Sequence, residues 1–350
     1  MNAATNFFKS RAAVGLWLLA VALVILAMVT IGGLTRLTGS GLSITEWKPI
    51  MGALPPLNDA QWADAFAKYQ RIPQYVVQNH DMSLEGFKGI FWWEWTHRFL
   101  GRLLGVVFFV PFVWFAAVGA IKRSEWPRML LLFALGGLQG LIGWWMVSSG
   151  LEVRTSVSQY RLAIHLGAAL LLLVAILWIA LEYLRGGKST GTSKRATAFA
   201  GLVYFQMLLG ALVAGLHAGL IYNTWPDMNG KVFPEDPFFS APWWINFFES
   251  PGLAQFDHRI GAYAVAGFAA WIYIQGMKLS GTAKVSAKSV AIITAWQVFL
   301  GIATLLMQAP VWLSALHQVT AATLLCAAVW HAYELRVYPN TTVIPGEPRE

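Results

Sequence analysis

Seven stretches of the chain carry no charged residue: 12–35, 103–121, 129–151, 162–181, 196–226, 260–277 and 289–333. A helix needs ~20 apolar residues to cross a hydrocarbon core. The last stretch runs for 45 residues; as one helix it would extend roughly 68 Å, twice that core. Pro310 stands near its middle, where it ends a helix rather than continuing one. The pattern therefore predicts an all-α integral membrane protein of eight transmembrane helices. The first stretch, 24 residues between Arg11 and Arg36, is too long for a signal-peptide core and closes on no small-residue cleavage pattern, so a retained span is expected. The N-terminus is not the Arg-rich, Ser-rich stretch of an organellar transit peptide, and a bacterial inner membrane fits better.

Composition agrees with a bilayer as solvent. The chain is 57% hydrophobic and 12% charged, half the roughly 25% charge of soluble domains. The net charge of +8 sits in short loops between apolar runs, which argues against nucleic acid as a partner and for membrane lipid. Its placement orients the chain. Lys9 and Arg11; Lys122, Arg123 and Arg128; Arg185, Lys188, Lys194 and Arg195; Lys278, Lys284 and Lys288; and Arg336 all fall on one side. By the positive-inside rule that side is the cytoplasm, which puts both termini there. The other side carries two long loops, 36–96 and 218–257, rich in Trp, Pro and Gly, suited to a lid or a partner surface. Gly186-Gly187-Lys188-Ser189-Thr190-Gly191 is the clearest flexible break. It predicts two halves, 1–187 and 188–350, each a four-helix bundle.

The halves repeat. Gly32–Gly52 aligns without gaps on Gly210–Gly230, with Gly32/Gly210, Leu34/Leu212, Gly41/Gly219, Leu42/Leu220, Trp47/Trp225 and Gly52/Gly230 coinciding. His97-Arg98 then matches His258-Arg259, Gln139-x-x-x-Gly143 matches Gln297-x-x-x-Gly301, and His165 matches His317. Both halves begin on the cytoplasmic side, so the repeat is parallel, with its axis along the membrane normal.

Four histidines, His97, His165, His258 and His317, fall at the outer ends of spans 2, 4, 6 and 8, two in each half. Intramembrane ionisable residues are rare and costly, and two imidazoles facing each other across a bundle core can clamp a haem iron from both sides. A zinc or copper cluster would recruit carboxylates or cysteines close by; the one cysteine, Cys326, lies in an apolar run and reads as a small core hydrophobe. His331 falls at the opposite face, His217 has Gly39 in its place in the first half, and His80 is in a polar loop; none of the three is expected to ligate. Arg98 and Arg259 lie against the charge bias and suit haem propionates, with Arg36 and Arg102 nearby; the competing role is snorkelling to headgroups. Glu94 precedes His97 by three residues and shares its helix face, whereas the second half has Gln255. A carboxylate there can move protons or stabilise a developing cation, which assigns chemistry to the first half and electron storage to the second. Its alternatives are fixing the imidazole N–H and capping the helix.

The runs Gly32-Gly33-Leu34-Thr35-Arg36-Leu37-Thr38-Gly39-Ser40-Gly41-Leu42-Ser43, Trp47 and Pro49, Glu94-Trp95-Thr96-His97-Arg98, Asn223-Thr224-Trp225-Pro226-Asp227-Met228 and Asp257-His258-Arg259 resemble the haem A synthase family, over residues 12 to 336. The resemblance implies an oxidoreductase that turns the C8 methyl of haem O into a formyl group by two hydroxylations through a geminal diol, supplying haem A to cytochrome oxidase. It implies that His97 and His165, with Arg98, hold the substrate haem. His258 and His317, with Arg259, would hold a haem b cofactor, and Glu94 would be required for turnover. Haem O synthase and cytochrome oxidase assembly factors become the expected partners; the oligomeric state, a homo-oligomer included, stays open. Some bacterial members carry a cysteine pair in an outer loop. This chain has none there and looks like the cysteine-free subgroup, which excludes a thiol mechanism. The competing functions are a bis-histidine haem b electron-transfer cytochrome and a haem transporter or chaperone.

Overall fold

The computed structural model describes residues 10–185 and 193–337. Its helices are α1 (Arg11–Leu37), α2 (Asp59–Tyr69), α3 (Pro73–Gln78), α4 (Leu84–Ala117), α5 (Trp126–Ser148), α6 (Gln159–Arg185), α7 (Lys194–Gly215), α8 (Asn246–Glu249), α9 (Pro251–Gly276), α10 (Gly281–Leu306) and α11 (Val311–Val337). No strand forms among the described residues beyond one isolated bridge, Met228 with Lys231. Four helix starts are read out by side-chain caps: Ser10, Asn58, Ser83 and Ser250 each accept from a backbone N–H three residues on, satisfying donors that the first helical turn leaves over. The long last apolar stretch does divide at Pro310, where Gln308 and Ala309 take left-handed backbone between α10 and α11.

Seven helices, α1, α4, α5, α6, α7, α10 and α11, are long and apolar enough to cross a bilayer. The expected count of eight is corrected to seven among the described residues. The helix that falls short is α9. It has 26 residues, but its charge-free part is rich in Gly and Ala, which carry little apolar area, and Gln255, Asp257, His258 and Arg259 crowd its first turns. The surface of the spanning helices is that of a membrane protein. On α4, Leu103, Val106, Val110 and Val113 are exposed at helical spacing, while Phe108, Phe112 and Phe115 are buried, and the Trp17 ring of α1 meets Phe108 and Phe115. A water-facing helix would show a polar stripe instead.

The chain divides into two compact units, one of residues 1–173 with 214–216 and one of 174–213 with 217–350. The expected boundary at 187/188, in the Gly-rich linker, lies outside the described residues. In the first unit the outer loop is itself folded. Helices α2 and α3 lie on the N-terminal part of α4, which starts well before its apolar run, and Leu42, Trp62, Tyr69, Ile72, Phe87 and Phe91 close a small aromatic core there.

In the second unit, Glu334 of α11 is fully buried. Its Oε1 accepts from Arg185 Nη2 at 2.6 Å and Trp330 Nε1 at 2.9 Å, and its Oε2 from Thr282 Oγ1 at 2.6 Å. Removing a buried carboxylate strands its donors, but Arg185 is one-third exposed, which moderates the cost. Glu334→Ala is expected to lower stability by about 2 kcal/mol and Thr282→Val by about 1 kcal/mol, read as the shift of thermal unfolding in detergent.

Candidate functional site

Each of the four singled-out histidines rests against a glycine of a neighbouring helix. In the first unit, a Cβ built on Gly32 of α1 would lie 2.9 Å from Cε1 of His97, and one on Gly143 of α5 would lie 2.9 Å from Cε1 of His165. In the second unit, a Cβ on Gly210 of α7 would lie 3.2 Å from Cε1 of His258, and one on Gly301 of α10 would lie 3.0 Å from Cε1 of His317. At 2.9 Å something would have to shift, and at 3.0 and 3.2 Å the ring would have to give by a few tenths of an ångström. Glycine at these four places lets an imidazole sit on a bare helix backbone, the close approach that small residues provide in membrane bundles.

Within each unit the histidines form a pair. The His258 and His317 ring centres are 6.4 Å apart with planes at 82°. An ion bound by two imidazole nitrogens at about 2 Å each sets the ring centres roughly 6 Å apart, so this pair has the spacing to grip one metal from opposite sides. His97 and His165 lie within electrostatic range of each other. Among the described residues no three of His, Cys, Asp and Glu converge as a metal cluster. Two neutral imidazoles per site, with the remaining coordination left to a macrocycle, is the donor set of a six-coordinate haem.

Glutamines brace these rings. Gln139 Nε2 is 2.8 Å from the His165 carbonyl and 3.1 Å from its Nδ1. Gln206 Nε2 is 2.7 Å from the His258 carbonyl and 3.0 Å from its Nδ1. Gln297 Nε2 approaches His317 Nε2 at a looser 3.4 Å. Gln206 is the functional candidate that the sequence reading passed over. The signal was present: Gln206-x-x-x-Gly210 repeats the spacing of Gln139-x-x-x-Gly143 and Gln297-x-x-x-Gly301, and comparing odd-numbered spans with one another, rather than half with half, brings it out.

Glu94 and Arg98 hold a loop. Glu94 is buried. Its Oε2 accepts from the Ser43 hydroxyl at 2.7 Å and the Ile44 amide at 2.8 Å, and its Oε1 from Arg98 Nη2 at 2.6 Å and Nε at 3.1 Å. Arg98 also donates to the carbonyls of Ile44 at 2.8 Å and Glu46 at 3.1 Å. The second unit has the same clamp with its polarity changed. Gln255 Nε2 and Arg259 Nη2 both donate to the Tyr222 carbonyl at 3.0 Å, and Arg259 Nη1 to the Asp227 carbonyl at 2.7 Å. Ile44 and Tyr222 are equivalent in the ungapped repeat. Where the loop offers an N–H the helix carries a carboxylate; where it offers only a C=O the helix carries an amide. Arg102 donates to the carbonyls of Pro49 and Lys48; its Nη1 and Arg259 Nε are buried donors without a partner.

The other histidines have local roles. His331 Nδ1 shares a hydrogen bond with Ser286 Oγ at 2.9 Å, His80 pairs with Asp81 in solvent, and His217 takes left-handed backbone ahead of a short 3-10 turn. Cys326 is half-buried.

The fold and the site define a multi-span all-α membrane protein with an imidazole pair in each of its two units. Comparison with known proteins narrows the class. Residues 15–329 match the model of the COX15-CtaA family, described as cytochrome oxidase assembly protein. The chain is 48% identical to the "Heme A synthase" of Parvibaculum lavamentivorans over 96% of this chain and 98% of that one. It is 45% identical to that of Rhizobium rhizogenes over 98% and 96%, and 49% identical to that of Brucella anthropi over 92% of both. The chain belongs to the COX15-CtaA family.

The clamp predicts a local response. Glu94→Ala removes an acceptor from four donors, and charged hydrogen bonds are each worth ~1.5–3 kcal/mol. Amide hydrogen exchange at Ile44 is expected to quicken at least about tenfold, with the 222–230 segment unchanged as internal control.

Proposed function

We propose that this protein is an oxidoreductase that converts haem O to haem A, oxidising the C8 methyl to a formyl group by successive hydroxylations, for use in cytochrome oxidase. The observation that carries the reading is the glycine-seated imidazole pair in each unit, with a 6.4 Å spacing at His258 and His317. It occurs in a chain 45–49% identical, nearly end to end, to proteins called haem A synthase.

In this reading His97 and His165 would hold the substrate haem, and His258 and His317 would hold haem b, which when bound would supply one-electron redox chemistry. The residues of the chain provide the rest. The four glycines set the ring positions. Arg259 Nε and Arg102 Nη1, buried and unmatched, are the guanidinium donors suited to propionate carboxylates, whereas Arg98 serves first to hold Glu94. Ser43 Oγ, 2.7 Å from Glu94 Oε2, is the atom through which Glu94 exchanges a proton. The folded outer loop, locked down by Glu94 and Arg98, shields the first site from water and reductant. Helix α9 lies alongside α10 and its 26 residues have the length to cross a bilayer at ~1.5 Å each, which supports its crossing as an eighth span and completing two four-helix bundles, 1–187 and 188–350. The bacterial inner membrane with both termini cytoplasmic, haem O synthase as donor and cytochrome oxidase assembly factors as acceptors complete the proposal.

One observation favours a second reading, a bis-histidine electron carrier. The Glu94/Gln255 difference is accounted for by the hydrogen-bond polarity of the loops, so on its own it does not demand chemistry in the first unit. Extraction and chromatography of bound haems from cells that make haem O separates the two. Wild type is expected to yield haem A or hydroxylated haem O. Glu94→Ala and His97→Ala should reduce product at least about a hundredfold while haem b stays bound, and His258→Ala should lose haem b. No oxidised haem O from wild type would establish the carrier instead.

A further inference from the structure

The imidazoles of each pair are held unequally. His165 and His258 have Nδ1 braced by Gln139 and Gln206, which also bond the same histidines' carbonyls. His97 and His317 have Nδ1 buried without a partner. The braced histidine is on the second helix of the repeat in one unit and on the first in the other, because His97 is equivalent to His258 and His165 to His317. One substitution accounts for His97; His317 lacks a partner at Nδ1 even though Gln297 keeps the spacing of Gln139, its amide lying 3.4 Å from Nε2 instead. In the ungapped repeat, Gln206 aligns with Met28. Met28 stands four residues before Gly32 on α1, where a glutamine would brace His97, and its methyl instead lies against Gly101 of α4, one turn beyond His97.

We propose that Gln139 and Gln206 are positioning residues that make His165 and His258 the fixed ligands of their sites, and that Met28 leaves His97 as the releasable ligand through which the first site exchanges its haem. This rests on the ligand assignment proposed above. The chemistry is that of the proton on the distal ring nitrogen. An imidazole that ligates through Nε2 carries its proton on Nδ1. The amide oxygens of Gln139 and Gln206 are buried and without partners. A half-turn of either amide gives up its bond to the histidine carbonyl and brings its oxygen to that Nδ1–H, fixing the ring plane and strengthening the nitrogen as a donor. Met28 offers only a thioether, a weak acceptor, so His97 turns and detaches at less cost. A site that takes in a substrate haem and gives up an altered one needs such a ligand.

The test exchanges the two residues in the full-length protein purified with its haems. Met28→Gln is expected to slow displacement of the first-site ligand by carbon monoxide in the ferrous state, and transfer of that haem to apomyoglobin, by about tenfold. Gln206→Met is expected to speed carbon monoxide binding at the second site by a similar factor, to raise its reduction potential and to shift its low-spin electron paramagnetic resonance g-values. A merely structural role would leave potential and g-values in place. Low-spin bis-histidine signals from both sites with exchange rates, potential and g-values unmoved in both variants would overturn the proposal while leaving the ligand assignment standing. Retention of the second-site haem in His258→Ala would overturn the assignment and the proposal with it.

Discussion

Nothing inside a hydrocarbon slab can hydrogen-bond a polar side chain except the protein or what the protein binds. The four imidazoles on α4, α6, α9 and α11 are governed by that constraint. Each is seated where a neighbouring helix has no side chain, so the ring meets backbone on one side and keeps the other for a ligand. Glycine thus does two things: it lets the helices approach, and it sets how far each ring stands off. Enlarging any of the four would displace a ring before it displaced a helix, since a built Cβ meets Cε1 first in every case.

The same constraint explains the outer-loop clamps. A buried carboxylate is tolerable only when saturated with donors, and Glu94 has a hydroxyl, an amide N–H and a guanidinium. Gln255, facing a carbonyl, has no such donors and is neutral. Electrostatic satisfaction and chemistry are therefore entangled at Glu94. A group this well held keeps a loop closed. Ser43 is the partner whose hydroxyl can both donate and accept.

Much of this was legible from the chain. Charge-free runs marked the spanning helices, Pro310 divided the last two, and the repeat picked out the four histidines because matching residues recur in the same order through both halves. What escaped did so for physical reasons. Helix α9 read as a span by absence of charge, but absence of charge is not apolar area where Gly and Ala abound. The folded cap was invisible because α2 and α3 are short and pack on an extension of α4 that precedes its apolar run. Helical spacing puts Arg98 within reach of Glu94, but it could not show that Arg98 also holds the Ile44 and Glu46 carbonyls, which belong to a loop distant in sequence. Gln206 went unseen because its counterpart in the other half is a methionine.

That last pair shows how a duplicated scaffold acquires two jobs. Duplication hands both units the same glycine seats and the same histidines, which suffices to hold two equivalent groups. The units diverge at residues around the histidines rather than at the histidines: Gln206 meets the His258 ring where its counterpart Met28 meets Gly101, and Glu94 and Gln255 bond opposite ends of the loop's peptide groups. Such changes alter how a ring is held or which way a loop's hydrogen bonds run, while the glycine seats stay common to both units.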